Sequence, residues 1–192
     1  MTGPRDLTRE LGSTIGRLLR RLRADPGRSP LAGHQLDAPA TIVVTSSTFP
    51  DGGPIARRHA GEGVGDDVSP ELRWSGIPAG AAALVLLLDD VDVPLLRPLF
   101  HSVALLAPNA GGLAEGEFVA GTPGVRIVPT MLSKNGYAGP RPIPGHGPHR
   151  YRFHVLALDR PVPADATSVK KVLAAASGHV LARGTLTGTY ER

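Results

Sequence analysis

From residue 39 onward, short runs of β-branched, aromatic and leucine residues alternate with clusters of glycine and proline. The chain of 192 residues contains 24 glycines and 19 prolines, which interrupt helices and favour turns between short strands. Strands are predicted at residues 41–45, 83–89, 100–106, 125–128, 151–158 and 184–190. Several of these runs are continuously apolar, which predicts a sheet that is covered on both faces.

One late helix is predicted over residues 166–182, with Asp165 or Thr167 near its N-cap. Its apolar stripe comprises Val169, Val172, Leu173, Ala176 and Val180. Because strands dominate and helices lie at the ends of the chain, the predicted class is a β-rich α+β fold. The sequence contains no phosphate-binding GxxxxGK[ST] loop, no GxSxG nucleophile turn and no HExxH metal motif.

The first part of the chain has a different character. Residues 1–37 form a basic extension that precedes a predicted domain of residues 38–192. An amphipathic helix is predicted there from the spacing of Leu7, Leu11, Ile15, Leu18 and Leu22. Such a helix can pack on its own domain, mediate a homodimer or lie on an anionic membrane. The first two arrangements are favoured.

Composition excludes several classes of function. The absence of cysteine excludes disulfides, a thiol nucleophile and thiolate-bound metals. The net charge is +4, but one Trp, three Tyr and four Phe are too few for a base-stacking surface, so no nucleic-acid partner is expected. The longest apolar run, residues 81–88, is too short for a transmembrane segment. With no secretory signal pattern at the N-terminus, a cytoplasmic location is expected.

An acidic cluster follows the apolar strand of residues 83–88 and is the first candidate for chemistry. Strand alternation places Asp90 and Asp92 on one side and Asp89 on the other. Two carboxylates on one side require a nearby cation, proton or hydrogen-bond donor. His101 opens the next apolar run, and a hairpin-like return would bring it beside the aspartates as a protonated donor. The alternative is a simple polar turn after a buried strand.

A stiff loop rich in glycine and proline occupies residues 139–151 and leads into the next strand. Such a loop lets ligand atoms approach the backbone closely. Alternation sends His149 and Tyr151 one way and Arg150 the other, which makes Arg150 a natural partner for a buried aspartate. His146 either supports the same site or is a solvated loop residue.

Four motifs occur in an order that resembles the phosphatidylethanolamine-binding protein family, and more narrowly its bacterial branch often labelled Raf kinase inhibitor-like. They are DDVSP at residues 66–70 with the nearby Trp74, DVDVP at residues 90–94, His101, and GHGPHRY at residues 145–151. The resemblance extends from about residue 42 to residue 190. It implies a β-sandwich with a large central antiparallel sheet, a smaller sheet and peripheral helices.

The resemblance also implies a small pocket that holds an anion or a phosphorylated head group. Its ligand-binding residues would be Asp90, His101, His149 and Tyr151. The supporting residues would be Asp92, Arg150, Pro94, Trp74, Arg141 and His146, with Trp74 and Pro94 packed near the mouth. This chain departs from the family pattern at three positions that affect the shape of the pocket, namely Val91 for a proline, Ser102 for an aromatic residue and Arg141 for a small residue.

The implied function is non-catalytic binding of phosphate or a phospholipid head group, because the pocket offers donors without an activated nucleophile. No cofactor or metal is expected, since the Asp and His residues lack a metal-binding spacing. Two alternatives stay open. One is a regulator that acts through contact with a protein partner, and the other is a weak hydrolase that uses the Asp/His pocket.

Overall fold

A computed structural model describes residues 4–192 of the chain, with side chains from residue 12 onward. Two helices are present, α1 (Pro4–Leu19) and α2 (Val169–Ala176). The strands are β1 (Val43–Thr45), β2 (Leu72–Ser75), β3 (Ala83–Asp90), β4 (Leu99–Leu106), β5 (Gly112–Leu113), β6 (Val125–Val128), β7 (His149–Leu158) and β8 (Val180–Tyr190). Short 3-10 turns lie at Pro26–Arg28, Pro30–Ala32, His34–Leu36 and Arg57–His59.

The strands form two antiparallel sheets. A five-stranded sheet has the order β6-β4-β3-β7-β8, and a three-stranded sheet has the order β1-β2-β5. The central strand β3 lies between β4 and β7, which follow it in the chain. This arrangement confirms the predicted β-rich α+β fold with a large antiparallel sheet, a smaller sheet and peripheral helices.

Both faces of the large sheet are covered, as its apolar strands predict. On one face, Leu86 of β3 belongs to the same apolar cluster as Trp74 of the small sheet. On the other face, Leu87 of β3 shares a cluster with Leu173 of α2. Because successive side chains of a strand point to opposite faces, the continuous apolar run of β3 serves two cores at once.

The late helix is shorter than predicted. It covers eight residues, and its N-cap is Ser168 rather than Asp165 or Thr167. After α2 the chain turns at Gly178, which has a φ of 77° that favours glycine. Strand β8 then begins at Val180, so the last part of the predicted helix belongs to a sheet. Pairing along β7 overrides the helical periodicity of this segment.

Helix α1, predicted from the spacing of its leucines, packs on the loop of residues 143–147. Gly16 is buried, and a β-carbon at this position would overlap the carbonyl oxygen of Pro144. After the helix, the Arg23 guanidinium donates hydrogen bonds to the carbonyls of His146 and Pro148 at 3.0 and 2.8 Å. Helix α1 and the residues just after it are therefore held by backbone contact and by Arg23, whereas Leu31 and Leu36, later in the extension, belong to the apolar cluster of α2.

The apolar stripe of α1 does not mediate this contact where its side chains are described. Ile15, Leu18 and Leu22 are 49, 79 and 55% exposed, and the side chains of Leu7 and Leu11 lie outside the described residues. A homodimer through this helix stays a prediction. Among the described residues, no helix is long and apolar enough to cross a membrane.

Candidate ligand-binding site

The ends of three adjacent strands bring the predicted site residues into one region. Strand β3 ends at Asp90, which pairs with Tyr151 near the start of β7 and with Leu99 at the start of β4. Antiparallel pairing forces the end of one strand to lie beside the beginnings of its two neighbours. The site is therefore positioned by the rigid centre of the large sheet.

A β-bulge orients His101. Leu88 pairs with Ser102, whereas the next residue Asp89 pairs with Phe100, so His101 is the extra residue of β4 at this point. A bulge leaves one residue out of the regular ladder and redirects its side chain. The hairpin-like return predicted from the sequence therefore places His101 beside the end of β3.

A cavity of about 340 Å³ opens beside these strand ends. Asp90, His101 and His149 line its polar side. Its apolar side comprises Val93, Pro94, Leu95, Leu99, Leu132 and Ile143. A concave space with few polar groups and a larger apolar wall is typical of sites for small ligands.

Asp90 and His149 form a buried pair at the inner end of the cavity, and each is less than 3% exposed. Nδ1 of His149 lies 2.7 Å from Oδ2 of Asp90. The other carboxylate oxygen accepts a 2.8 Å hydrogen bond from the backbone N–H of Asp92. Asp90 thus orients the imidazole while both of its own oxygens are satisfied.

His101 presents one ring nitrogen to the cavity. Its Nδ1 donates a 2.9 Å hydrogen bond to the carbonyl of Ala138, while Nε2 has no hydrogen bond to any described residue. Burial lowers the pKa of His101, although the nearby Asp90 carboxylate acts in the opposite direction. A neutral ring whose Nδ1 is the donor carries a lone pair on Nε2, so His101 must gain a proton before it can donate into the cavity.

Tyr151 packs against the two histidines and is not itself among the residues that line the cavity. Its ring is 5.3 Å from that of His101 in an edge-to-face arrangement and 6.3 Å from that of His149 in a stacked one. The side chain is fully buried. No hydrogen bond of good geometry reaches its hydroxyl from a described residue, although the Asp90 carboxylate and the backbone of Arg141 are polar neighbours that act on its pKa. Burial, followed by the charge of Asp90, raises the pKa of Tyr151 well above its usual value, so the hydroxyl stays a neutral donor.

His146 is fully buried rather than solvated. Its Nδ1 lies 2.7 Å from Nε2 of His149. Its Nε2 lies 2.9 Å from the carbonyl oxygen of Leu19, the last residue of α1, and 3.1 Å from that of Leu22, three residues beyond it. His146 therefore connects the cavity histidine to the N-terminal extension.

Asp92 has different partners from Asp90. Because β3 ends at Asp90, strand alternation does not continue to Asp92, and the two carboxylates do not share one cation. Arg150 holds Asp92 through two side-chain hydrogen bonds of 2.9 and 3.0 Å, and Arg23 lies 3.5 Å away. Burial alone would raise the pKa of Asp92, but the hydrogen bonds and charge of Arg150 hold it below its usual value. The partnership of Arg150 with a buried aspartate agrees with the prediction.

A second buried ionic cluster was not predicted. Asp89, on the opposite face of β3, accepts two hydrogen bonds from Arg152 and contacts His154 at 3.3 Å. Burial opposes ionisation of Asp89, but hydrogen bonds from His154 and Arg152 lower its pKa. The signal was available in the sequence, since Arg152 and His154 are two residues apart on one strand and share a face.

The remaining supporting residues lie at different distances from the cavity. Pro94 and Arg141 line it, and Arg141 also donates to the carbonyl of Glu62 at 3.1 Å. Trp74 is not among the lining residues; it packs in the core of the small sheet and its indole N–H donates to the carbonyl of Ala110. In the part of the chain that the structure describes, no three His, Asp or Glu side chains are placed to share a metal ion.

Comparison with known proteins agrees with this architecture. The family model described as phosphatidylethanolamine-binding protein matches residues 45–191. A UPF0098 protein of Chlamydia muridarum is 36% identical over 157 residues, which cover 79% of this chain and 99% of that protein.

Two solved structures share the fold. The Chlamydia trachomatis homologue CT736 superposes with a TM-score of 0.70 at 31% identity, covering 79% of this chain and 98% of that one. Escherichia coli YbcL, described as a member of the mammalian PEBP family, superposes with a TM-score of 0.72 at 25% identity, covering 80% and 99%. Both likenesses span nearly the whole length of the compared proteins.

Proposed function

The chain belongs to the phosphatidylethanolamine-binding protein family, and we propose that its cavity binds a small oxyanion, either free phosphate or the phosphate of a head group. The binding residues would be His101 and Tyr151, with Asp90 and His149 as the charged pair beside them. Binding of this kind needs no nucleophile and no cofactor.

The buried hydroxyl of Tyr151 carries the proposal. A buried donor without a partner costs roughly 1–3 kcal/mol, because it has lost its hydrogen bonds to water. A buried polar group of this kind requires a partner, and a bound ligand can supply one. Nε2 of the neighbouring His101 has no hydrogen bond to a described residue, and once His101 is protonated an oxyanion could accept from both groups.

The charges around the cavity favour binding of an anion together with a proton, which His101 takes up. Asp90 alone would repel an anion, but His149, 2.7 Å away, would offset this charge when it is protonated. A protonated His101 then supplies a positive charge of its own. The nearby Arg141 adds a cation at the outer edge.

The rim of the cavity supports a ligand with an apolar part outside the phosphate group. Leu95 and Leu132 line the cavity and are 53 and 42% exposed, and the adjacent Leu96 and Met131 are 79 and 90% exposed. Exposed apolar side chains around a polar centre are typical of a binding surface. Free phosphate would use only the inner groups, whereas a phosphorylated head group with an apolar chain would use both.

The experiment is an NMR titration of the histidine ring signals with inorganic phosphate, phosphoethanolamine and a short-chain phosphatidylethanolamine below its micelle concentration. We expect saturable shifts of His101 with all three. The variant His101→Asn retains an amide near the position of Nδ1, which can still donate to Ala138, but it lacks Nε2. This variant should bind each ligand about tenfold more weakly or worse.

The control variant is His179→Asn, which changes a histidine that pairs with Asp159 at the surface. Its ligand affinities should match those of the unmodified chain. Equal affinity for phosphate and the short-chain lipid would show that only the inner polar groups contribute to binding. Tighter binding of the lipid would show that the apolar rim contributes as well. The absence of any saturable His101 shift in folded protein would refute the proposal.

A further inference from the structure

A continuous line of hydrogen bonds connects the cavity to the end of helix α1. It runs from the Asp90 carboxylate through His149 and His146 to the carbonyls of Leu19 and Leu22, with links of 2.7, 2.7, 2.9 and 3.1 Å. Asp90, His149 and His146 are each at most 2% exposed. The line therefore lies almost entirely out of contact with solvent.

The chemistry of the two ends determines where the protons lie. Carbonyl oxygens only accept, so Nε2 of His146 must carry a proton. Burial, together with the neighbouring His149 ring and the Arg23 guanidinium, lowers the pKa of His146, which favours a neutral ring. The Nδ1 atom of a neutral ring protonated at Nε2 is an acceptor, and His149 must then donate to it from Nε2.

The other nitrogen of His149 faces an oxygen of Asp90, and the second oxygen of Asp90 accepts from the backbone N–H of Asp92. With Asp90 ionised, both nitrogens of His149 are donors and its ring is an imidazolium. The positive charge that offsets Asp90 next to the cavity thus depends on the acceptor that His146 provides.

The C-terminal end of α1 and the residues just after it, whose carbonyls contact His146, are held in place by the loop of residues 143–147. Gly16 leaves no space for a side chain against Pro144, and Gly145 adopts a φ of 76° against the backbone of Ser13. Arg23 connects the same segment to Asp92 at 3.5 Å. The carbonyls of Leu19 and Leu22 are therefore held in place as acceptors, and the loop and the helix end form one packed unit.

We propose that His146 is a positioning residue that couples the docked end of α1 to the anion cavity by keeping His149 doubly protonated beside Asp90. The inference rests on the proposed anion site. A ligand held next to the charged His149 stabilises the line that includes the helix carbonyls, and by reciprocity the docked helix strengthens ligand binding.

Two substitutions test the hydrogen bonds of the two His146 nitrogens separately. His146→Asn places an amide oxygen near the position of Nδ1, so it can accept from His149 but does not reach the helix carbonyls. His146→Gln places an amide nitrogen near the position of Nε2, so it can donate to Leu19 and Leu22 but offers His149 no acceptor. Neither variant introduces a charge, and both retain a polar group in the space of the ring.

The first measurement needs no ligand. Nitrogen-15 chemical shifts distinguish a doubly protonated imidazole from a neutral one. We expect His149 to be doubly protonated in the unmodified chain and in His146→Asn, and neutral in His146→Gln. A neutral His149 in the unmodified chain, or one that His146→Gln leaves unchanged, would overturn the inference even if the cavity binds no anion.

The second measurement uses inorganic phosphate. Phosphate should slow amide hydrogen exchange at residues 17–23 in the unmodified chain but should not slow it in either variant. His146→Gln should also bind phosphate about tenfold more weakly than the unmodified chain. The His101 ring shift reports separately whether phosphate is bound. Saturation of His101 with no change in exchange at residues 17–23 of the unmodified chain would disprove the coupling and leave the proposed function intact.

Discussion

The rings of Tyr151 and His101 meet edge to face, with centroids 5.3 Å apart and planes at 85°. This contact fixes the orientation of both rings, yet the Tyr151 hydroxyl has no partner among the described residues. We expect Tyr151→Phe to raise the free energy of unfolding by up to about 1 kcal/mol, because an unsatisfied buried group is removed. The same change should weaken phosphate binding by up to about tenfold, through loss of one neutral donor.

Tyr137→Phe is the matched control. The Tyr137 hydroxyl is also buried but donates a 2.8 Å hydrogen bond to the carbonyl of His59. Its removal should lower the free energy of unfolding by about 1 kcal/mol and leave phosphate affinity unchanged. Urea denaturation and calorimetric titration measure the two quantities. Destabilisation of equal size in both variants would show that Tyr151 is an ordinary buried tyrosine.

The affinity for an anion should increase as the pH falls. Burial sets the pKa of His101 below its ordinary value of 6.5, and Asp90, Asp89 and His149 are the charged or titratable neighbours that act on it. An anion prefers the protonated ring, so the binding constant should be highest below the His101 pKa of the free protein. Above that pKa it should decrease by up to about tenfold per pH unit.

Sulfate is the suitable probe for this pH dependence, since its charge does not change in this range whereas that of phosphate does. Calorimetry in two buffers with different ionisation enthalpies should show proton uptake on binding above the His101 pKa. His101→Asn should bind sulfate weakly and without proton uptake. Sulfate affinity that is constant with pH in the unmodified chain would exclude His101 as the donor.

Asp89 should contribute to stability without contacting the bound anion. Asp89→Asn leaves Arg152 and His154 without their buried carboxylate, so we expect a loss of about 3 kcal/mol in the free energy of unfolding. Phosphate affinity should decrease only slightly, because Asp89 does not line the cavity and acts there only through its charge on His101. The exposed Asp159→Asn is the control and should cost less than about 1 kcal/mol.

The stability difference between Asp89→Asn and the unmodified chain should also depend on pH in a defined direction. The pKa of Asp89 in the folded state lies below its ordinary value of 3.8. Its stabilising contribution is therefore fully present above pH 3.8 and is lost as the pH falls through the folded-state pKa. A difference that persists unchanged at the lowest pH would contradict an ionic role.

Much of the site could be predicted because its parts follow local rules. Alternation along β7 separates His149 and Tyr151 from Arg150, and the motif order indicates that Asp90 and His101 approach them. The bulge that orients His101 has no comparable signal, since it arises from the pairing of two whole strands. The length of α2 could not be predicted for the same reason. Pairing with β7 determines where β8 begins, and this sets where the helix must end.

The role of His146 could not be predicted from its own neighbourhood. Its partners at the end of α1 are backbone carbonyls 124 and 127 residues away in the chain. Carbonyl groups have no sequence signature, so nothing in the loop indicates which of them will be near. A useful signal was present in α1 instead, where Gly16 lies in the helix at the position that closely contacts the backbone of the loop.

Two glycines of α1 allow a direct test of helix docking. A β-carbon at Gly16 would overlap the carbonyl oxygen of Pro144, whereas one at Gly12 would lie 3.8 Å from the Pro144 side chain, an ordinary contact. Alanine favours a helix over glycine by about 1 kcal/mol at either position. We therefore expect Gly12→Ala to leave α1 docked and Gly16→Ala to displace it. Amide exchange at residues 17–23 should become faster only in Gly16→Ala, and slow exchange in both variants would show that the helix end is held independently of the Gly16 contact.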